Sequence, residues 1–366
     1  MNIGKGLLTI LLVIANLFAA VLMLLTFIAS QVSPDNWLIP AYTTLLLPAL
    51  IPVNIFFVVL WILWKKWYIL ISLSVLLLNW RIIQNTIPLN VKSSESYQGD
   101  YDFSLMTYNT YANGMMKKHT KKSPNLVIKH ILEEDPDILC IQEYSAHFSD
   151  TYLTEKDLVN IFKKYPYHHV HFQVNTGRSY FGNATFSKYP ITSKQTVNFE
   201  SHYNSAIYSD INIKGKTIRI FNCHLESNYI TEKDKVLAMR LKDNFDTDNL
   251  KGTTMHFSRK LGTAYKIRSK QAEIVSGQIK ASPHPVMVVG DFNDLPSSYA
   301  YTTIRGDLQD AFVKKGFGLG WTFTDALLRF RIDHILYDPA LELKSFKLDN
   351  NVHYSDHFPL TCKMAL

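Results

Sequence analysis

The sequence predicts a layered α/β sandwich preceded by a helical membrane segment. Three observations support this prediction. The first 90 residues carry almost no charge, with only Lys5, Asp35, Lys65, Lys66 and Arg81. All 13 histidines lie beyond residue 100. Beyond that point, short β-rich runs alternate with amphipathic stretches, which is the pattern of a mixed α/β domain.

The composition limits the classes of protein to which the chain can belong. Of the 366 residues, 47% are hydrophobic and 19% are charged, and this excludes a disordered chain. The net charge is +7, of which the first 85 residues contribute +3 and the remainder +4, so it is weak evidence for nucleic acid. Three cysteines do not form a disulfide framework, and their apolar surroundings favour buried free thiols.

Two long uncharged stretches predict membrane helices. Residues 6–34 and 36–64 are each long enough to cross about 30 Å of hydrocarbon. The first is too long for a cleaved signal peptide. A third stretch either spans the membrane or lies at its surface. We expect a membrane segment over residues 1–90, with three transmembrane helices at about 7–30, 40–63 and 67–87.

Lysine positions predict the orientation of this segment. Lys5 and the Lys65–Lys66 pair belong on the cytoplasmic side. Three spans then place the rest of the chain outside the cytoplasm, whereas two spans would leave it inside. We expect a multi-pass protein of the cell membrane with an extracytoplasmic soluble domain, joined by a polar linker at 91–100. We predict no protein partner.

The soluble domain, residues 101–366, contains the strands and helices of the sandwich. Runs rich in Ile, Val, Tyr, Phe and Thr predict strands at 102–110, 137–143, 183–187, 205–213, 217–226, 285–291, 331–337 and 359–364. Helical patterns occur at 123–135 and 263–281. Several strands are apolar on both faces, so helices should cover the sheets.

Polar side chains recur where the apolar strands end. They are Asn109, Glu143, Asn183, His224, Asp291, Asn293, Asp333, Asp356 and His357. One such residue is usually a turn former, but nine indicate a site at the rim of a sheet. Carboxylate and amide oxygens without thiolates suit Mg²⁺, Mn²⁺ or Ca²⁺. A histidine oriented by a carboxylate suits a general base.

These residues lie in segments that resemble a known superfamily. The segments MTYNTY, PDILCIQEY, FGNATFSKYPI, IFNCHLES, VVGDFND, RIDHILY and YSDHFPL are similar, in this order, to the signature motifs of the endonuclease/exonuclease/phosphatase (DNase I-like) superfamily. The resemblance covers about residues 100–366, and the preceding spans resemble those of membrane-anchored bacterial members. It implies a four-layer α/β sandwich and metal-assisted hydrolysis of phosphate esters.

The resemblance also implies a role for each motif residue. It implies a metal site for Mg²⁺ or Mn²⁺ formed by Glu143, Asn109 and Asp356. It implies catalytic roles for His357, Asp291, His224, Asp333 and Asn293, and leaves open whether Asp291 or His357 is the general base. Asn183 is expected near the substrate phosphate. Trp321, in the glycine-rich segment 316–323, either lines the substrate pocket or belongs to a simple turn.

The expected function is a membrane-anchored, divalent-metal-dependent phosphoester hydrolase of the phosphodiesterase or nuclease type. A lipid-headgroup phosphodiesterase or phosphatase, similar to a sphingomyelinase, is the alternative. A catalytically inert membrane receptor or scaffold is the non-enzymatic alternative. The substrate is therefore a phosphate ester of either nucleic acid or a lipid headgroup. His169 and His171 are expected on a solvent-facing strand.

Overall fold

The computed structural model of the chain describes residues 3–90, 97–231, 233–237, 247–325 and 329–366. Most of the predicted linker, 91–96, lies outside the described residues. The N-terminal part is helical throughout. Its helices are α1 (Ile3–Gln31), α2 (Ile39–Thr43), α3 (Leu47–Leu63), α4 (Ile69–Leu78) and α5 (Trp80–Thr86), with one turn of 3₁₀ helix between α2 and α3.

Two helical stretches in the described chain have the length and composition to cross a membrane. They cover Lys5–Gln31 and Ile39–Leu63, and α4 with α5 adds a third if the bent pair is one span. The pair bends by 64°. At the bend, the Asn79 side chain donates to the carbonyls of Val75 and, on α1, Met23, at 2.9 and 3.1 Å. A side chain inserted in this way is a recognised cause of a helix kink.

A neutral polar network joins the membrane helices. Asn16 donates to Ser72 Oγ at 2.5 Å, Ser72 donates to Asn54 Oδ1 at 2.9 Å, and the Trp61 indole donates to Asn16 Oδ1 at 2.8 Å. All four side chains are fully buried. Hydrogen bonds of this kind between helices stabilise bundles in membranes.

The soluble domain follows in chain order. Its elements are β1 (Phe103–Asn109), α6 (Tyr111–Met115), α7 (Leu126–Glu134), β2 (Ile138–His147), α8 (Glu155–Ile161), β3 (Tyr167–Asn175), β4 (Ser179–Ser187), β5 (Ile191–Val197), β6 (Ser205–Ile213), β7 (Lys216–His224), α9 (Thr247–Lys280), β8 (Val286–Asp291), α10 (Tyr299–Arg305), β9 (Gln309–Asp310), α11 (Ala311–Lys315), β10 (Phe323–Thr324), β11 (Arg329–Phe330), β12 (Asp333–Tyr337), β13 (Glu342–Leu348) and β14 (Leu360–Ala365).

The strands form two six-stranded sheets. The first has the order β13-β14-β1-β2-β4-β3, the second the order β5-β6-β7-β8-β12-β9, and β10 and β11 form a separate hairpin. β1 and β2 are parallel, as are β7 and β8. The carboxyl ends of parallel neighbours meet at one edge, so each sheet brings two motif-bearing strand ends together.

The sheets pack face to face with helices on both outer sides. Leu105 and Cys140 of the first sheet meet Ile220 and Val289 of the second in one buried cluster. Helices α7 and α8 cover the first sheet, and α9 and α10 cover the second. The predicted four-layer sandwich is confirmed, and the three cysteines are buried free thiols.

Several local predictions are corrected. Strands β3, β5 and β13 lie outside the predicted strand ranges, because the solvent-exposed edges carry polar residues that hide the alternation. Helix α9 begins at Thr247 rather than at 263. The helix predicted to begin at 123, with Ser123 as its cap, begins at Leu126 as α7 and is capped by Asn125. His169 is not solvent-facing: it is buried, with Nδ1 3.0 Å from Ser209 Oγ.

Among the described residues, the N-terminal helices contact the α/β domain near the start of α2 and at the end of α5. Near the start of α2, Asp35 pairs with Lys270 at 3.2 Å and the Tyr42 hydroxyl donates to Ser258 O at 2.7 Å. In the last turn of α5, Asn85 O accepts a hydrogen bond from the Arg331 guanidinium. Both the connection that follows α1 and the end of α5 therefore lie against the same domain.

Candidate active site

The site forms where five strands bring polar residues to one edge of the sandwich. Asn109 ends β1, and Glu143 lies within β2. His224 ends β7 and pairs in register with Asp291, which ends β8. Asp291 also pairs with Asp333, the first residue of β12. Strand register alone thus places His224, Asp291 and Asp333 side by side.

Unusual backbone conformations accompany two of the carboxylates. Glu143 has a φ of 55°, at a bulge where β2 shifts register against β4. A bulge re-aims a side chain that regular pleating would direct elsewhere. Before Asp291, Gly290 has a φ of 123°, and a Cβ there would lie 2.1 Å from Cys223 O. Only glycine allows the two strands this approach.

Asp291 is the centre of the cluster. Its Oδ2 accepts from Asn109 Nδ2 at 3.0 Å and lies 3.7 Å from His224 Nε2. Its Oδ1 accepts from the backbone N–H of Asn293 at 2.8 Å. The carboxylate is held from several directions and is almost fully buried.

A histidine–aspartate pair faces Asp291. His357 Nδ1 lies 2.8 Å from Asp333 Oδ2, and His357 Nε2 lies 3.6 Å from Asp291 Oδ2. Thr322 Oγ1 accepts from the backbone N–H of Asp333 at 3.0 Å and so fixes the start of β12. One ring nitrogen is therefore oriented by a carboxylate, and the other is directed at the centre of the site.

Burial and neighbouring charges shift the titration of the cluster. Burial raises the pKa of Asp291 to about 6, although the nearby histidines oppose this shift. Burial acts against protonation of His357, but Asp333 and Asp291 outweigh it and raise its pKa to about 10. Burial lowers the pKa of His224. Shifts of this kind, in groups with specific charged partners, are typical of functional sites.

The comparisons with known proteins identify the family. The sequence model of the Endonuclease/Exonuclease/phosphatase family matches residues 106–357, more than half of the chain. The chain belongs to this family. A second model, described as a domain of unknown function (DUF8431), matches residues 9–86. No curated protein matches the chain.

Solved structures of similar fold cover 72% of the chain. A humanized TDP2 from D. rerio is 15% identical, with a TM-score of 0.47, and covers 72% of this chain and 99% of its own. A family protein from Leptotrichia buccalis is 16% identical, with a TM-score of 0.45 and coverages of 72% and 100%. The human Nocturnin catalytic domain, with bound sulfate, is 16% identical, with a TM-score of 0.47 and coverages of 72% and 94%.

Membership of this family indicates that the reaction is hydrolysis of a phosphate ester. The residues available to hold a divalent cation lie beside Asp291. Asn109 Nδ2 donates to Glu143 Oε1 at 3.3 Å. Burial raises the pKa of Glu143, and the carboxylate of Asp356 raises it further, against the effect of His357. The side chains of Glu143 and Asp356, together with the Asn109 amide, offer oxygen atoms that fit a hard cation such as Mg²⁺.

A second group of side chains that could hold a metal ion lies next to Glu143 and Asn109. Ligand atoms of Asp291, Asp333 and His357 all lie within 4.8 Å of one another. Asp333 is already engaged by His357, so the side chains on the Glu143 side are the ones available to hold a cation. A further group in the described chain, His130, Glu134 and Asp349, surrounds Lys347, whose Nζ lies 3.0 Å from Glu134 and 2.7 Å from Asp349. That lysine already neutralises the acids.

The remaining predicted residues lie around this centre. Asn183, on β4 opposite the Glu143 bulge, donates to Ser205 O at 2.8 Å, and in the described chain its buried Oδ1 has no protein partner. Asn293 Nδ2 donates to Leu225 O at 2.9 Å, so Asn293 also braces the loop that follows His224. Trp321 is 40% exposed and lines a cleft of about 810 Å³ beside Thr324 and Phe358.

The sequence prediction missed Gln142 and Asn222, whose hydrogen bonds connect the strands that carry the site residues. Gln142 Nε2 donates to Asn222 Oδ1 at 2.7 Å and to Thr107 Oγ1 at 3.0 Å, and this joins the two sheets. Asn222 Nδ2 donates to Ala184 O at 2.9 Å. The available signal was periodicity: Asn222 lies two residues before His224 and therefore on the same face of β7.

Proposed function

We propose that this protein is a membrane-anchored, divalent-metal-dependent hydrolase of phosphate esters. The observation that carries the proposal is the convergence on Asp291 of two groups. One is the His357–Asp333 pair, with Nε2 of the histidine 3.6 Å from Asp291. The other is the Asn109–Glu143 corner, with Nδ2 of the amide 3.0 Å from Asp291.

Glu143, Asn109 and Asp356 would hold Mg²⁺ or Mn²⁺. Such a cation, when bound, offsets the negative charge that develops on the phosphoryl and leaving oxygens. The fit is supported by donor chemistry, since these three side chains offer oxygen atoms and no thiolate. Ser355, whose hydroxyl donates to Asn109 O at 2.9 Å and to Asp356 Oδ1 at 3.2 Å, ties two of them together.

The chain's own residues would perform the proton transfer and hold the phosphate. Asp291 accepts the proton of the attacking water, because its carboxylate is buried and oriented by Asn109 and Asn293. His357, fixed through Nδ1 by Asp333, directs Nε2–H toward the phosphoryl oxygens and stabilises their developing charge. His224 lies beside the same position. Asn183 contributes to phosphate binding in this proposal.

The contacts between the two parts of the chain support three membrane crossings. Asp35 and Tyr42, which follow the first span, contact the soluble domain, and so does Asn85 at the end of α5. If both places lie on one side of the membrane, α3 and the bent α4–α5 pair cross it in opposite directions. The lysine distribution supports a domain outside the cytoplasm.

A metal assay on the full-length protein tests the proposal. In detergent micelles, hydrolysis of a soluble phosphodiester such as bis(p-nitrophenyl) phosphate should need Mg²⁺ or Mn²⁺ and stop with a chelator. Glu143→Gln should abolish the metal response, whereas Glu342→Gln, on the exposed start of β13, should behave as wild type. Saturating Mg²⁺ at about 100-fold over Kd should raise the unfolding free energy by about 2.7 kcal/mol in wild type and in Glu342→Gln, but not in Glu143→Gln.

Two results would contradict the proposal. The first is hydrolysis that persists undiminished in the presence of the chelator. The second is a Glu143→Gln protein with wild-type activity and wild-type stabilisation by Mg²⁺. A folded protein that binds Mg²⁺ but hydrolyses neither the diester nor a phosphomonoester, DNA or lipid substrate would favour the receptor or scaffold alternative.

A further inference from the structure

Three exposed apolar side chains lie together beyond the last membrane helix. Leu89, Phe317 and Trp321 are 72%, 63% and 40% exposed. We call them the apolar edge. Single exposed apolar residues are common on soluble proteins, but a contiguous group marks a surface with a partner.

The apolar edge is continuous with the membrane segment. Leu89 lies three residues beyond the end of α5 at Thr86. It forms an antiparallel bridge with Phe317, and Gly318 N–H donates to Pro88 O at 2.8 Å. Asn90 Nδ2 donates to Gly316 O at 2.8 Å. The loop 316–321 of the soluble domain is therefore fastened to the chain where it leaves the proposed third span.

The same loop leads directly into the catalytic pair. Thr322, next to Trp321, accepts the N–H groups of Ile332 and Asp333, each at 3.0 Å. Phe323 forms a bridge with His357, and their ring centroids lie 5.0 Å apart. Thr322 alone thus lies between Trp321 of the apolar edge and Phe323, which contacts His357.

Cationic groups accompany the apolar edge. Arg329 lies over the Trp321 ring, with its Cζ 5.2 Å from the ring centroid, and Lys315 lines the cleft of about 810 Å³ between the edge and Thr324. Aromatic rings with lysine or arginine beside them are characteristic of the membrane–water interface, where basic groups attract anionic headgroups.

The opposite side of the site is also tied to the membrane segment. Lys235, in the connection between β7 and α9, pairs at 2.7 Å with Asp325, which follows β10. The first half of α9 contacts α2 through Ser258 and Tyr42. The loop after β10 is thus held by Lys235, and α9 is held by α2.

We propose that the apolar edge lies in the interfacial layer of the bilayer leaflet that α5 reaches, so that the catalytic site opens toward lipid headgroups. Its partner is the lipid surface, and the substrate is a phosphate ester in the headgroup of a membrane lipid. The substrate part of this inference rests on the proposed hydrolase function. The lipid contact itself rests only on the membrane anchor and on the position of the edge.

A fluorescent probe tests the lipid contact. Full-length Phe317→Cys, labelled with an environment-sensitive fluorophore in nanodiscs, is compared with Lys216→Cys, which lies at the opposite end of the sheets. The native cysteines are buried and should not compete for the label. Lipids carrying a shallow spin label should quench the probe at 317 and not at 216. Equal water exposure and no lipid quenching at both positions would overturn the inference.

An activity comparison tests the substrate class. The double variant Leu89→Ser, Phe317→Ser should keep wild-type hydrolysis of the soluble diester but lose about tenfold in hydrolysis of lipid headgroups in nanodiscs, since both replaced side chains are apolar contacts with lipid. Leu126→Ser, an exposed leucine on α7, is the matched control. Equal loss on both substrates, or wild-type hydrolysis of plasmid DNA with none of lipid, would overturn it.

The two proposals can fail separately. If the soluble diester is not hydrolysed by the metal-loaded protein, the proposed function fails. The quenching result still decides the position of the apolar edge in that case. If the diester is hydrolysed and the probe at 317 shows no lipid contact, the inference fails while the proposed function stands.

Discussion

Two histidine–aspartate groups lie on opposite faces of β12. Asp333 faces the site and meets His357 at 2.8 Å. The next residue, His334, faces the outer layer, where its Nδ1 lies 3.9 Å from Asp310 Oδ2 and its ring lies 4.8 Å from that of Tyr301. Both groups are buried, so burial does not distinguish them.

Charge balance separates the two groups. In the outer group, Arg331 pairs with Asp310 at 3.0 Å and Tyr301 donates to the same Oδ2 at 2.7 Å. Burial would raise the pKa of Asp310, but Arg331 and its other partners keep it low. In the group proposed to be catalytic, Asp291 and Asp333 both lie beside one histidine, and burial, with a smaller effect of Asp333, raises the pKa of Asp291 to about 6. A balanced group stabilises the fold, whereas an excess of acids costs stability and indicates chemistry.

The largest expected effect is a loss of turnover, which we expect when the group around His357 is altered. His357→Ala should lower turnover of the soluble diester about 1,000-fold, because the group that stabilises the phosphoryl oxygens is lost. Its circular dichroism spectrum should match that of wild type, but its unfolding temperature should be lower, because Asp333 and Asp291 lose the cation that offsets their buried charge. His284→Ala, at the far end of β8, is the control and should retain full turnover. Turnover near wild type in folded His357→Ala protein would remove His357 from the mechanism.

The second effect concerns stability. Arg331→Met leaves Asp310 buried without its cation and should lower the unfolding free energy by about 3 kcal/mol. Arg178→Met, on an exposed turn, should change it little. Adding Asp310→Asn should restore part of the loss, because an amide can still cap α11 without carrying charge. An Arg331→Met protein as stable as wild type would show that the outer group is not held together by its ion pair.

The third effect is a pH dependence. Burial and Arg331 lower the pKa of His334 to about 4. Its folded pKa lies below the unfolded value, so the unfolded chain binds the proton first and stability falls as the pH drops below about 6.5. Between pH 7 and pH 5 this histidine should account for about 2 kcal/mol. Comparing unfolding of wild type and His334→Gln at both pH values measures it. An identical pH dependence in both proteins would contradict the assignment.

The smallest effect tests the hydrogen bond to a charged acceptor. Tyr301→Phe removes the donor to Asp310 and should cost about 1.5 kcal/mol of unfolding free energy. Tyr337→Phe removes a 2.9 Å bond to the neutral Gln309 side chain and should cost less, about 1 kcal/mol. Turnover should be unaffected by either change. The reverse order of the two losses would mean that Asp310 does not depend on tyrosine for its stabilisation.

The sequence predicted which residues form the site but not which of them interact with one another. The motif order predicted the sandwich and its family, and the strand ends predicted Asn109, His224 and Asp291 at one edge. His334 and Arg331 were not singled out, because RIDH gives two adjacent polar residues and the pattern does not show which one faces the site. Gln142 was overlooked beside Glu143 for the same reason.

The sequence by itself determined the division into an apolar helical part and an α/β domain and the set of polar strand ends, because these depend on local composition and on periodicity. The order of its motifs also indicated the family and, through the family, the class of reaction. Only the tertiary structure decided that Asp333 meets His357, that a bulge turns Glu143 toward Asn109, and that the loop carrying Phe317 fastens to Leu89. These contacts join residues distant in the chain, and packing of the layers alone brings them within reach.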